Sequence, residues 1–135
     1  MPRPIPCILL IDDDPDDNFL HQMVIEESGL CDIVRTTTSA RQALDYLQRT
    51  EHPAYIRPDV LILDINMPGM NGFDFLAEYH QLDRQLKSQV IIVMLTTSLN
   101  PKDTDQAGQW EEVKAYRTKP LTRATIQEIV TVYFS

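Results

Sequence analysis

Apolar residues are concentrated in five short runs that are separated by polar or turn-forming residues. The first, third and fourth runs are almost continuously apolar, which is typical of strands covered on both faces of a parallel sheet. The second and fifth runs are shorter and more mixed, as edge strands usually are. The predicted strands span residues 6–11, 31–36, 59–64, 90–95 and 113–117.

Each predicted strand is followed by a segment in which apolar residues recur at helical spacing. In the first segment the residues that follow this spacing are Phe19, Leu20, Met23, Val24 and Glu27. Four of the segments begin with a side chain that can accept a hydrogen bond from a free helical amide, namely Asp14, Ser39, Asn100 and Thr122. The predicted helices span residues 15–28, 39–49, 72–82, 101–109 and 122–134.

The strict alternation of strands and helices predicts an α/β fold, a doubly wound five-stranded parallel sheet with right-handed crossovers. In sheets of this kind the functional cleft lies beyond the carboxyl ends of the strands, where the strand order reverses. The residues that end the strands are therefore the candidates for function.

Polar side chains of complementary chemistry stand at these strand ends. Asp12 and Asp13 follow the first strand, Asp64 ends the third, Thr96 follows the fourth and Lys119 follows the fifth. Because the carboxyl ends of parallel strands meet at one edge of the sheet, we expect these five side chains to line one pocket.

The cluster of acidic residues at positions 12–17 divides into two groups. Asp14, Asp16 and Asp17 are assigned to the start of the first helix, where negative charge is favoured by the helix dipole. Asp12 and Asp13 are assigned to the pocket.

Three carboxylates in one cleft repel each other unless a cation lies between them. Short oxygen side chains suit Mg²⁺, which commonly accompanies phosphate groups. Thr96 and Lys119 can donate hydrogen bonds to an anion. The set therefore predicts a pocket for phosphoryl transfer, in which an aspartate can itself act as the nucleophile.

Length and charge limit the remaining possibilities. A chain of 135 residues with a formal net charge of −8 predicts a single domain over residues 1–135 and argues against a nucleic-acid surface. An apolar stretch long enough for a membrane span or a signal peptide is absent from the sequence. We therefore expect a cytoplasmic protein without a nucleic-acid or membrane partner.

The arrangement resembles the receiver domain of bacterial two-component response regulators, in its stand-alone, single-domain form. The resemblance rests on LLIDDD at the first strand, LILDINMPGMNG around the third, VMLTTS at the fourth and YRTKPL at the fifth, and it covers essentially the whole chain. It implies a flavodoxin-like (βα)5 fold with strand order 2-1-3-4-5 and no effector domain.

The resemblance also implies roles for the residues of the pocket. Asp64 would accept a phosphoryl group from the phosphohistidine of a sensor histidine kinase or a histidine phosphotransfer protein. Thr96 and Lys119 would bind the phosphoryl oxygens, and the bond between Lys119 and Pro120 would be cis. The ligands of Mg²⁺ would be Asp12, Asp13, Asp64 and the backbone carbonyl of Asn66. Such a protein would catalyse only its own phosphorylation and dephosphorylation.

A switch is implied as well, in which Thr96 moves toward phosphorylated Asp64 and Tyr116 turns into the vacated space. Asn66 and Ser98 match the positions that tune the lifetime of the phosphoryl group. The readout surface would comprise residues 101–109, 113–117 and 122–134. Two departures from the family pattern are a long segment at 50–58 and the sequence GQWEEVKAY before the fifth strand.

Two alternatives use the same residues differently. The chain could be a receiver-like interaction module that is never phosphorylated, although its complete set of pocket residues argues against this. It could also be a phosphatase of the haloacid dehalogenase type, whose signature requires Thr or Val where Asp16 stands. Self-labelling by a phosphodonor distinguishes the receiver from both.

Overall fold

The computed structural model of the chain describes residues 4–82, 91–97 and 100–134. All five predicted strands and all five predicted helices are present, with ends within two residues of the predicted ones; residue 90 lies outside the described residues. The elements are β1 (Ile5–Ile11), α1 (Pro15–Ser28), β2 (Cys31–Thr37), α2 (Ala40–Gln48), β3 (Val60–Asp64), α3 (Gly72–His80), β4 (Ile91–Thr96), α4 (Pro101–Gly108), β5 (Val113–Thr118) and α5 (Arg123–Tyr133).

The five strands form one parallel sheet in the order β2-β1-β3-β4-β5. This order confirms the doubly wound, flavodoxin-like architecture, and it places the two less apolar strands at the edges. The order reverses between β1 and β3, so the carboxyl ends of these two strands border the cleft expected for such a fold.

Two hydrophobic clusters cover the two faces of the sheet. Alternate residues of the central strands point to opposite faces, so Leu9 and Leu61 join the cluster with α2, α3 and α4. Leu10 and Ile62 join the cluster with α1 and α5. Burial on both faces explains why β1 and β3 are apolar at almost every position.

The predicted helix caps are confirmed. Each of the four predicted cap residues accepts a hydrogen bond from a backbone amide in the first turn of its helix; they are Asp14, Ser39, Asn100 and Thr122. The helix α3 also has a cap that the sequence reading did not identify. Asn71 accepts from the Asp74 amide, and the Asp74 side chain accepts from the Asn71 amide.

The buried face of α1 is not the apolar stripe that its spacing indicates. Phe19 is 66% exposed and Leu20 is 48% exposed. The buried residues of the helix are instead Asn18, His21, Ile25 and Ser28. The apolar spacing is therefore wrong for Phe19 and Leu20, although Val24 of the same stripe packs against the core. Polar residues that bond to backbone groups of other segments, Asn18 and His21, take part of the inner face.

The long segment after α2 contains neither helix nor strand between residues 50 and 58. It is attached to α2 by Tyr46, whose hydroxyl donates to the Ile56 carbonyl and accepts from the Ile56 amide at 3.3 Å. The rings of Tyr46 and Tyr55 pack with their centroids 5.4 Å apart. Every helix within the described residues is too short or too polar to cross a membrane.

Candidate functional site

Four of the side chains predicted to converge lie together at the carboxyl rim of the sheet, those of Asp12, Asp13, Asp64 and Lys119, and Thr96 ends β4 at the same rim. Backbone hydrogen bonds beyond the strands fix the residues that follow them. The Asp12 amide donates to the Thr37 carbonyl at 3.2 Å, and the Lys119 amide donates to the Thr96 carbonyl at 2.7 Å. These bonds hold the segments after β1 and β5 at the same rim of the sheet as Asp64.

Three carboxylates form a compact group at this rim. One oxygen from each of Asp12, Asp13 and Asp64 lies within 4.8 Å of the others. Asp12 and Asp64 are each 4% exposed, whereas Asp13 is more accessible to solvent. The pocket therefore has a buried base of two carboxylates and a third one at its mouth.

Asp64 has the most strongly shifted pKa of this group. Burial and the neighbouring Asp12 charge raise the pKa of Asp64 to about 6, and Lys119 and the Asn66 amide offset part of that rise. The Asn66 amide lies 3.4 Å from Oδ1 of Asp64. The raised pKa therefore reflects first the burial of Asp64 and second the nearby Asp12 charge, which the Lys119 ammonium only partly offsets.

That ammonium belongs to Lys119, whose side chain is 12% exposed. Its Nζ atom lies 2.7 Å from Oδ2 of Asp12, 2.8 Å from Oδ2 of Asp17 and 3.4 Å from Oδ1 of Asp64. Burial lowers the pKa of Lys119, but hydrogen bonds to Asp12 and Asp17 outweigh it and raise the pKa above its usual range. The peptide bond from Lys119 to Pro120 is cis.

The donor set fits a hard divalent cation. Asp12, Asp13 and Asp64 offer carboxylate oxygens close enough to share one ion, and Mg²⁺ prefers such ligands while retaining several waters. A cation here would also offset the Asp12 charge, which together with burial raises the pKa of Asp64. A role for the Asn66 carbonyl as a further ligand stays a prediction.

Thr96 and Tyr116 lie on adjacent strands, next to the pocket. Thr96 is 1% exposed. The Tyr116 hydroxyl is buried without a well-formed hydrogen bond to any described residue. Burial and the Asp103 charge raise the pKa of Tyr116, and Thr104, the Asn100 backbone and Thr96 are near enough to offset part of that rise. Ser98 lies outside the described residues.

Three residues of α1 contribute to the site in ways that the sequence reading missed. Asn18 donates from Nδ2 to the carbonyls of Asp12, at 2.9 Å, and Thr37, at 3.1 Å. His21 accepts at Nε2 from the Leu121 amide, at 3.2 Å, and burial lowers its pKa. The prediction that Asp17 belongs to the helix terminus alone is wrong, because Asp17 also accepts a hydrogen bond from Lys119.

Comparison with known proteins gives a consistent set of similarities. A family model described as the response regulator receiver domain matches residues 8–131. Response regulator Rcp1 of Synechocystis sp. is 32% identical over 118 residues, which cover 87% of this chain and 78% of that protein. Protein PilH of Pseudomonas aeruginosa is 27% identical over 125 residues, which cover 91% of this chain and 93% of that protein.

Solved structures agree with these sequence relatives. The crystal structure of a two-component response regulator from Cytophaga hutchinsonii superimposes with a TM-score of 0.87 at 32% identity, covering 96% of each chain. The chemotaxis protein CheY4 of Vibrio cholerae superimposes with a TM-score of 0.74 at 26% identity, covering 94% of this chain and 97% of that one. The similarity extends over nearly the full length of the chain.

Proposed function

Because the chain belongs to the receiver domain family of two-component response regulators, we propose that Asp64 accepts a phosphoryl group from a phosphohistidine. The donor is a sensor histidine kinase or a histidine phosphotransfer protein. The observation that carries the proposal is the group of three carboxylates, Asp12, Asp13 and Asp64, with Lys119 beside it at the carboxyl rim of the sheet.

In the transfer, one carboxylate oxygen of Asp64 forms a bond to phosphorus while the phosphorus–nitrogen bond of the phosphohistidine breaks. The imidazole leaves with the electron pair of that bond, and the product on Asp64 is an acyl phosphate. With a pKa of about 6, Asp64 is mainly ionised at neutral pH and can act as the nucleophile.

The remaining groups of the pocket bind the phosphoryl oxygens. Asp12, Asp13, Asp64 and the Asn66 carbonyl would hold Mg²⁺, which would supply positive charge near the transferring group. Lys119 and Thr96 donate hydrogen bonds to other phosphoryl oxygens. Like other receiver domains, the chain in this proposal catalyses only its own phosphorylation and dephosphorylation.

Phosphorylation then changes a surface through Thr96 and Tyr116. Thr96 moves toward the phosphoryl group, and Tyr116 follows into the space behind it. The buried position of the Tyr116 hydroxyl near Thr96 supports this role, because it places the two residues where a movement of one affects the other. The surface formed by α4, β5 and α5 passes the change to a partner protein by contact.

Two further assignments belong to the same proposal. Asn66 is exposed beside Asp64 and, with Ser98, tunes the lifetime of the acyl phosphate. The protein acts in the cytoplasm, where sensor kinases obtain their phosphoryl groups from ATP.

The test is self-labelling by acetyl phosphate or phosphoramidate with Mg²⁺, followed by intact mass measurement. We expect one added phosphoryl group in the wild type and none in Asp64→Asn. Asp45→Asn is the matched control, since Asp45 is an exposed aspartate on α2 and its loss should leave labelling unchanged.

The other readings predict different results. An unmodified wild type with an intact fold, under every donor, would contradict the proposal and favour an interaction module without phosphorylation. Multiple turnover on a small phosphate ester would favour a phosphatase. Removal of Mg²⁺ with EDTA should abolish labelling in the wild type, and labelling that persists would contradict the proposed metal site.

A further inference from the structure

The ammonium of Lys119 donates hydrogen bonds to two carboxylates, those of Asp12 and Asp17. Oδ2 of Asp12 is 2.7 Å away and Oδ2 of Asp17 is 2.8 Å away, the usual lengths of charge-assisted hydrogen bonds. The proposed phosphoacceptor Asp64 is farther, at 3.4 Å. Lys119 therefore bonds best to the two aspartates that do not receive the phosphoryl group.

Asp17 differs from the other acidic residues around the pocket. It is absent from the group of carboxylates that are close enough to share a cation, which within the described residues is Asp12, Asp13 and Asp64. Its Oδ2 atom contacts Lys119 instead. Negative charge is favourable at its position in the first turn of α1. That preference does not explain why its carboxylate contacts Lys119.

A second contact from the same helix holds the backbone next to Lys119. His21, one turn after Asp17, accepts a hydrogen bond from the Leu121 amide at 3.2 Å. Both His21 and Leu121 are buried, so this bond is protected from water. The helix α1 thus binds the side chain of residue 119 and the main chain of residue 121 at points about one helical turn apart.

We propose that Asp17 is a positioning residue that holds Lys119 away from Asp64 until a phosphoryl group arrives. This inference rests on the proposed function of Asp64. A phosphoryl group brings additional negative charge and strong acceptor oxygens to Asp64, which then compete with Asp17 for the ammonium. The contact between Asp17 and Lys119 is consequently broken or weakened during each phosphorylation, and its strength contributes to the barrier.

The proposal predicts an unusual direction for a substitution. In Asp17→Asn the carboxylate is neutral, so Lys119 bonds less strongly to residue 17 and moves toward Asp64. The pocket also repels an anionic phosphodonor less. We therefore expect labelling by acetyl phosphate at saturating Mg²⁺ to be about threefold to tenfold faster than in the wild type.

Asp16→Asn is the matched control. Asp16 is an exposed aspartate in the same helical turn, so its substitution removes the same charge without removing a contact to Lys119. We expect its labelling rate to stay within about twofold of the wild type. Asp17→Glu restores the charge and should return the rate to the range of the wild type.

A second measurement needs neither donor nor metal. NMR signals of the lysine ammonium groups report whether Lys119 is held by hydrogen bonds. We expect a protected Lys119 signal in the metal-free wild type and in Asp16→Asn, and a shifted or exchange-broadened one in Asp17→Asn. A purely structural role of Asp17 would instead give slower labelling together with lower stability.

The outcomes separate the two claims. A wild type that is never labelled overturns the proposed function, and the positioning role with it. Labelling of the wild type, together with equal rates in Asp17→Asn and Asp16→Asn, overturns the positioning role alone. A Lys119 ammonium signal unchanged in Asp17→Asn would contradict it on independent grounds.

Discussion

Gly72 packs against the main chain of Asp64 so closely that no side chain fits between them. A β-carbon at position 72 would lie 2.8 Å from the Asp64 carbonyl oxygen and 2.9 Å from the Cα atom of Ile65. The Gly72 amide also donates to the Ile65 carbonyl at 2.9 Å. The start of α3 therefore supports the end of β3, and with it the residue proposed to carry the phosphoryl group.

Gly72→Ala should consequently disturb both folding and labelling. Because backbone atoms must move to accommodate the methyl group, we expect the free energy of unfolding to fall by about 1–3 kcal/mol, measured by urea denaturation. The initial rate of Asp64 labelling should fall too. Gly108→Ala is the control, since a β-carbon at position 108 would meet nothing within 4 Å. Equal stabilities of the two variants would show that the close approach has no energetic importance.

Asn18 provides a test of the polar inner face of α1. Its amide is buried and donates to the Asp12 and Thr37 carbonyls, so Asn18→Ala should lower the free energy of unfolding by about 1–3 kcal/mol. Asn18→Asp should be worse at neutral pH, because a carboxylate would face the two carbonyl oxygens without a donor. Thermal unfolding of both variants checks the order, and an aspartate variant more stable than the alanine variant would contradict it.

The affinity for Mg²⁺ should depend on pH through Asp64. Burial and the Asp12 charge raise the pKa of Asp64 from 3.8 to about 6, and a protonated carboxyl group is a poor ligand. We therefore expect the dissociation constant for Mg²⁺, measured by calorimetry, to rise as the pH falls through about 6. An affinity that stays constant between about pH 7 and 5 would count against Asp64 as a ligand.

In the metal-free protein the same carboxyl group has the opposite effect on folding. Its pKa is higher in the folded state than in the unfolded one, so its stabilising contribution is fully present below about pH 4 and is lost as the pH rises through about 6. At pH 8 we expect Asp64→Asn to be more stable than the wild type by about 1–3 kcal/mol. Urea denaturation without Mg²⁺ measures this difference, which should disappear near pH 4.

The exposed apolar residues of α1 should contribute little to stability. Phe19 is 66% exposed, so we expect Phe19→Ser to change the free energy of unfolding by less than about 0.5 kcal/mol. Ile25 lies on the same helix and is 0% exposed. Ile25→Ala should cost about 2–5 kcal/mol. Comparable losses in the two variants would mean that the apolar stripe is buried after all.

Most of the fold could be predicted because its signals are local. Continuous apolar runs mark strands that are covered on both faces, and residues such as Ser39 and Thr122 mark helix starts by their own hydrogen-bonding chemistry. The cap at Asn71 could have been found in the same way, since Asp74 follows at the spacing of a capping box. The residues at the strand ends followed from the parallel order of the sheet alone.

The inner face of α1 could not be predicted, because its partners are distant in the sequence. Asp17 contacts a lysine 102 residues away, and His21 accepts from an amide 100 residues away. Nothing near these positions indicates that a polar side chain will be bonded rather than solvated. Hydrophobic spacing wrongly places Phe19 and Leu20 on the inner face, because it counts apolar side chains and takes no account of backbone groups that need a hydrogen-bond partner.

The polar inner face of α1 has a consequence for protein engineering. A redesign that gave α1 regular amphipathic patterning would exchange Asn18 and His21 for apolar residues and make Phe19 and Leu20 polar. The redesigned helix could still form and cover the sheet. The ends of β1 and β2 and the segment after β5 would nevertheless lose their hydrogen bonds to α1. A variant with better amphipathic patterning could therefore keep its fold and lose the geometry of its pocket.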